Sequence, residues 1–141
     1  MYWLNAGGGS HCYWKNDNEI LAYETKTGVG NGYFLMKDKT QEWTHLWPQL
    51  DSDGHPSYCP TDNSLVVTDT YPNRARIQEL KLLHDTDIEG KEIKVIARVF
   101  APFKYDNDTR CDLHPRWSRD GKKVCFDSVF EGHRGLYLVE I

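Results

Sequence analysis

The sequence predicts an all-β fold, a partial β-propeller of about three antiparallel meander blades. Three observations predict it. The first is an internal repeat. Asp53-Gly54-His55-Pro56-Ser57-Tyr58, then Leu65 to Thr70, then Ile77 to Leu83 is matched by Asp112-Leu113-His114-Pro115-Arg116-Trp117, then Lys123 to Ser128, then Leu136 to Ile141. A fainter copy runs from Ser10-His11-Cys12-Tyr13-Trp14 through Ile20 to Glu24 and Tyr33 to Met36. Repeats tens of residues long signal stacked supersecondary units. The second observation is content. Each unit is made of short runs rich in aromatic and β-branched residues, separated by polar turns, which is the grammar of a meander. The third is the lack of any convincing helical period. Arg76 to His84 alone resembles a helix, and its alignment with 135–141 makes it a strand.

Within each unit the elements follow in order. A first strand is expected to begin at the histidine. A tight polar turn follows, at Asn16-Asp17-Asn18, Thr61-Asp62-Asn63 or Arg119-Asp120-Gly121, because these residues tolerate the positive φ that a short hairpin needs. The second strand is the apolar run just quoted. Third strands are expected over 32–37 and 135–141, and fourth strands over 41–46 and 92–100. The histidines recur 44 and then 59 residues apart, and the excess falls between His84 and Arg110. Loops of that length in compact domains are functional or mobile. The units therefore run over roughly 8–50, 51–110 and 111–141, within one domain spanning 1–141.

Three units fall short of the four to eight blades of a closed propeller. The chain reads as the C-terminal blades of a larger ring whose last unit stops after its third strand. Residues Met1 to Leu4 would complete that unit only in a differently closed ring. Exposed sheet edges seek partners, so a homo-oligomer is expected.

Composition narrows the partners. Seventeen Lys and Arg stand against 21 Asp and Glu, a net charge of −4, with the basic residues scattered. A nucleic-acid binder shows a basic patch, so no nucleic acid is expected. No run approaches the roughly 18 apolar residues of a membrane span, so no membrane is expected. No charged-then-apolar leader is visible, which slightly favours the cytoplasm. Cys12, Cys59, Cys111 and Cys125 form no C-x-x-C pair and read as reduced thiols. Gly7-Gly8-Gly9 lacks a phosphate-loop lysine and reads as a flexible loop. No Gly-x-Ser-x-Gly elbow supports a serine hydrolase.

The chemistry concentrates at the repeated histidines. First strands line a propeller's channel, so His11, His55 and His114 should converge on the axis, where three imidazoles suit a divalent metal. Asp53 and Asp112, each two residues before a histidine, would orient it. The bland alternative is that each histidine fixes blade spacing through a backbone hydrogen bond. Asp69 and Asp127, equivalent at the end of the second strand, suggest blade-to-blade acceptors. Arg74, Arg76, Arg110, Arg116 and Arg134 surround the same motifs, and a guanidinium fork fits a uronate carboxylate. Arg110 is the foremost candidate, with Arg74, Arg76, Asp53 and Asp112 as further ligand contacts. Trp14, Tyr58 and Trp117 occupy one repeated position and read as packing between blades. Trp43 and Trp47 are irregularly placed and are the candidates for stacking on a sugar.

The run from His114 to Ser128, continued by Gly135-Leu136-Tyr137-Leu138-Val139, resembles the blade repeat of TolB-like propellers. Asp53-Gly54-His55-Pro56 with Thr68-Asp69-Thr70-Tyr71-Pro72 is similar to propellers related to oligogalacturonate lyases. That resemblance implies a carbohydrate-related module with a manganese- or calcium-like cation held by histidines and a glutamine. It also implies assistance from an arginine and a histidine, here Arg110 and His55. The reaction would be β-elimination on a uronate, with the cation and the arginine neutralising the carboxylate and His55 removing the adjacent proton. Gln41, Gln49 and Gln78 all lie outside the histidine motifs. The competing expectation is a non-catalytic TolB-like scaffold for a protein or glycan partner.

Overall fold

A computed structural model describes residues 8–141. The expected completion of a blade by residues 1–4 lies outside the described residues, as do Trp3 and Gly7. Three antiparallel sheets follow one another along the chain. The first contains β1 (Gly9–Asn16), β2 (Glu19–Lys26), β3 (Gly30–Lys37) and β4 (Trp43–Leu46). The second contains β5 (Ser57–Cys59), β6 (Asp62–Asp69), β7 (Ile77–His84) and β8 (Lys94–Phe100). The third contains β9 (Arg116–Trp117), β10 (Lys123–Ser128) and β11 (Gly135–Glu140). Each sheet is ordered as the chain runs and none closes on itself. Apart from a 3-10 turn at Asn107–Thr109, the described residues hold no helix. This all-β architecture fits a partial propeller.

The turns form for the reason the residues suggest. The Asn16 side chain accepts from the Asn18 amide, and Asp120 accepts from the Lys122 amide and the Ser118 hydroxyl. In the second unit, Cys59 faces Asp62 in the ladder, so the turn is Pro60-Thr61 and not Thr61-Asp62-Asn63. Asp62 then begins β6 and caps Ser64 through Oδ1.

A second correction concerns the histidines. His11 lies inside β1, but His55 and His114 precede their strands by two residues. The reason is the following proline. Pro56 and Pro115 have no N–H for a ladder, so pairing starts one residue later. The two histidines are thereby left free of the sheet.

The sheets pack face to face. Leu21, Tyr23, Tyr33, Leu46 and Trp47 of the first unit meet Tyr58, Val66 and Leu83 of the second. Val67, Leu80 and Leu82 of the second meet Leu113, Val124 and Phe126 of the third. Buried polar bonds cross both seams. Tyr33 Oη lies 3.1 Å from Thr68 Oγ1, and the Trp47 indole donates to His84 O at 3.0 Å. The Trp117 indole donates to Ser57 O at 2.9 Å, and Gln78 Nε2 to Cys111 O at 3.1 Å. Among the described residues no further sheet packs on the outer face of the third. Leu80 faces Asp69 and Leu82 faces Val67 across β6–β7, just as Leu136 faces Asp127 and Leu138 faces Cys125 across β10–β11. Leu80 and Leu82 are buried at 0% and 6% exposure, whereas Leu136 and Leu138 stand 66% and 57% exposed.

The long connection after β8 is tied down by Arg76. Its guanidinium donates to Ala101 O, Tyr105 O and Asp106 Oδ1 at 2.9, 2.8 and 3.1 Å. Arg76 is 8% exposed, so its fork is spent on the loop at 101–106. The ligand contact expected of Arg76 is thus left little exposed surface to act through.

Candidate cation centre and adjoining cleft

Each of the three units delivers one imidazole to a single ladder. The His11 and His55 rings lie 4.0 Å apart between centroids, and the His55 and His114 rings also 4.0 Å, tilted by 53° and 50°. The seam that holds this ladder is Asp69, whose side chain is 1% exposed. Asp69 Oδ1 accepts from the His55 backbone amide at 2.6 Å, and both its oxygens lie 2.9 Å from His55 Nδ1. Oδ2 also accepts the His114 amide at 3.0 Å. One buried carboxylate thus fixes the ring of its own unit and the backbone of the next.

The His114 bond sustains an unusual backbone, because His114 has φ of +43°, in the left-handed region. Gly54 is required at the same seam. A Cβ there would come within 2.1 Å of Asp69 O, and against the Tyr33 and Thr68 hydroxyls.

Since Nδ1–H of His55 is directed at Asp69, its Nε2 is the nitrogen left for other chemistry. Burial alone would lower the His55 pKa. The hydrogen bond and charge of Asp69, with the charges of Asp112 and Asp53, outweigh burial and raise it. Burial likewise works to raise the Asp69 pKa, and its bonds to His55 and to the His114 amide bring it below the usual carboxylate value.

The group with metal-ligand spacing is His55, Asp112 and His114. One donor atom from each lies within 4.8 Å of the others. Two imidazoles and a carboxylate suit a first-row transition ion, and they suit calcium poorly, which prefers oxygen. The locked Nδ1 of His55 is the orienting partner such a site needs.

His11 joins the ladder but not this group. Its Nδ1 contacts Asp53 Oδ2 and Ser10 Oγ, both at 3.1 Å. The expected set of three histidines therefore becomes two histidines and Asp112. Asp53 orients His11 of the preceding unit rather than its own His55. The role foreseen for Asp53 at His55 belongs to Asp69, whose place at the end of the second strand was the available signal.

The arginines are largely committed elsewhere. Arg110 grips Asp112 in a fork, Nε to Oδ1 at 2.6 Å and Nη2 to Oδ2 at 3.0 Å, and its guanidinium carbon lies 4.4 Å from the Tyr71 ring centre. Tyr71 in turn meets His55 edge-on at 5.9 Å. Arg110 is thus a positioning group for Asp112. Arg116 pairs with Asp127 at 2.9 Å, and Arg134 donates to Thr109 O and Arg110 O. Arg74 is exposed in the turn before β7. Of the glutamines, Gln78 is fully buried, and Gln49 donates to Gly90 O.

A cleft of about 800 Å³ opens beside the ladder. His55 and His114 stand in its wall, and its sides are segments of β1, β5 and β9 carrying Tyr13, Trp14, Tyr58 and Trp117. Trp47 is fully buried and Trp43 stacks edge-on against Phe34, so neither lines this cleft. No family model matches this chain, and no curated protein is significantly similar to it.

Proposed function

We propose that this chain is a carbohydrate-related module of TolB-like propeller blades, with a divalent-cation centre at His55, Asp112 and His114 that engages an acidic sugar. One observation carries the reading. Each unit contributes an imidazole to one ladder, Asp69 fixes the His55 ring through Nδ1, and His55, Asp112 and His114 each bring a donor atom within 4.8 Å of the others. A purely structural histidine needs one satisfied nitrogen; this arrangement also gathers a carboxylate and a second ring. Arg110 holds that carboxylate in place. A manganese-like ion at these donors would bind and polarise a uronate carboxylate.

Catalytic β-elimination on a uronate, with His55 as base, is the stronger form of this proposal. A specific observation favours the weaker, non-catalytic form. Asp112 takes the side-on Nε/Nη2 face of Arg110, so that face is spent on holding Asp112 and not on a substrate carboxylate.

The test is calorimetric titration of chelator-stripped protein with manganese, zinc and calcium in turn. The expected result is one near-stoichiometric site for manganese or zinc, abolished in His114→Ala and Asp112→Asn. Equal metal uptake by both variants would refute the centre. Release of an unsaturated, ultraviolet-absorbing product from oligogalacturonides would establish the catalytic form, and its absence the binding form.

A further inference from the structure

We infer that two copies of this chain join edge to edge along β11, antiparallel, about a two-fold axis at Tyr137, so that one sheet runs across both. The inference is independent of the carbohydrate reading above.

The backbone supplies the first argument. Ile141 N donates to Lys122 O at 2.9 Å, and β10 and β11 pair without a register shift from Lys123 against Glu140 to Ser128 against Gly135. Hydrogen-bonded and open positions alternate along an antiparallel pair. The odd-numbered residues of β11 therefore bond to β10, and the N–H and C=O groups of Leu136, Leu138 and Glu140 point outward. Among the described residues no strand and no backbone hydrogen bond meets them.

The outer edges of the other sheets are guarded, and this one is not. β4 has only four residues. β8 carries Lys94 and Arg98, and its register against β7 shifts between Leu80 and Lys81. Short length, cations and broken register are common protections of an edge. β11 is six residues of unbroken ladder without lysine, arginine or proline.

The side chains select the register. The outward groups pair only where even-numbered residues face even-numbered ones. With the axis at Tyr137, Leu136 of each copy faces Leu138 of the other, and Glu140 faces Arg134, opposite in sign. An axis at Leu138 would set Leu136 against Glu140, and an axis at Leu136 would set Leu138 against Arg134. Both place a charge on a leucine. Leu136 and Leu138 are largely exposed, so the axis at Tyr137 is the one that matches apolar surface on both copies. An ion pair on so open an edge is worth little, and the leucines carry the choice. The contact is isologous and closes at two copies.

The experiment is sedimentation velocity of the full chain, with oxidative crosslinking of cysteine variants measured against the unsubstituted chain, whose Cys12 is exposed. A reversible monomer–dimer equilibrium is expected. Tyr137→Cys should crosslink to itself, because the residue on the axis sits in a non-hydrogen-bonded pair where the backbones lie close. Leu136→Cys mixed with Leu138→Cys should crosslink several-fold faster than either alone. Leu138→Pro should weaken association about tenfold or more. It removes an outward N–H and no bond to β10, which is where an edge strand tolerates proline.

A chain that stays monomeric at every concentration would overturn the inference. So would association unchanged by Leu138→Pro in a protein that keeps its native urea midpoint. Leu136→Cys or Leu138→Cys crosslinking to itself faster than the mixed pair would overturn the axis at Tyr137. Should Leu138→Pro fail to fold, the mixed crosslink decides alone, since cysteines at these two exposed positions leave the core untouched.

Discussion

Asp69 shows how much one side chain controls. It is nearly inaccessible, and three N–H groups converge on it from two sheets. Removing the charge from such a network leaves His55 without its counter-charge, at a cost of roughly 3 kcal/mol for Asp69→Asn. The pair also sets a pH window. The Asp69 pKa is lowered on folding, so its contribution is present above the unfolded value near ~3.9 and is lost as pH falls through the folded value. The His55 pKa is raised, so its contribution is full below about 6.5 and is lost as pH rises through the folded value. Their joint stabilisation is greatest between roughly pH 4 and 6.5. Urea midpoints in chelator at pH 6 and pH 8.5 should fall more for the native protein than for Asp69→Asn. Equal falls would show that the pair does not titrate with folding. The sequence made the convergence of His11, His55 and His114 legible, because a residue repeated at one place in stacked units must come together in space. It did not reveal that Asp53 serves the preceding unit's histidine. Offsets along the chain say nothing about which neighbour a loop side chain leans toward.

At the scale of the element, the long connection after β8 is the informative case. Its length marked it for function, but the structure gives it a structural anchor. Arg76 reaches it with three hydrogen bonds from a buried guanidinium, and holds a φ of +62° to do so. Arg76→Ala should therefore cost about 2–3 kcal/mol and open the segment to chymotrypsin at Phe103 and Tyr105. Arg76→Gly loses the same bonds but relieves the left-handed backbone, so it should be the more stable of the two by about 1 kcal/mol. Cleavage of the alanine variant at the native rate would show that the loop is held by other contacts. Strand placement was readable because β-branched and aromatic runs between Asn- and Asp-rich turns have few alternatives to a meander. The buried role of Arg76 was not, since an arginine's destination depends on carbonyls about 25 to 30 residues away.

Across the whole molecule, the two buried seams predict the behaviour of the surface that has none. The third sheet covers Leu80 and Leu82 of the second, whereas among the described residues the equivalent Leu136 and Leu138 are bare beside an edge strand whose outer backbone groups lack a ladder. Burying each leucine is worth about 1.5–3 kcal/mol, and an open edge adds hydrogen bonds to any β-partner. Asp127, at the place where Asp69 gathers its three donors, is left to a surface pair with Arg116. The third sheet thus presents an apolar face and an open edge, and a second copy of the chain is the partner always at hand. Sedimentation velocity should show association that rises with concentration. Leu136→Glu combined with Leu138→Lys should abolish it without changing net charge. Because both side chains already lie in solvent, the same pair should leave the urea midpoint of the monomer within about 0.5 kcal/mol of the native value. A native chain that stays monomeric at every concentration would mean that the bare face is tolerated by solvation alone. Association that survives the double variant would place the contact on another surface.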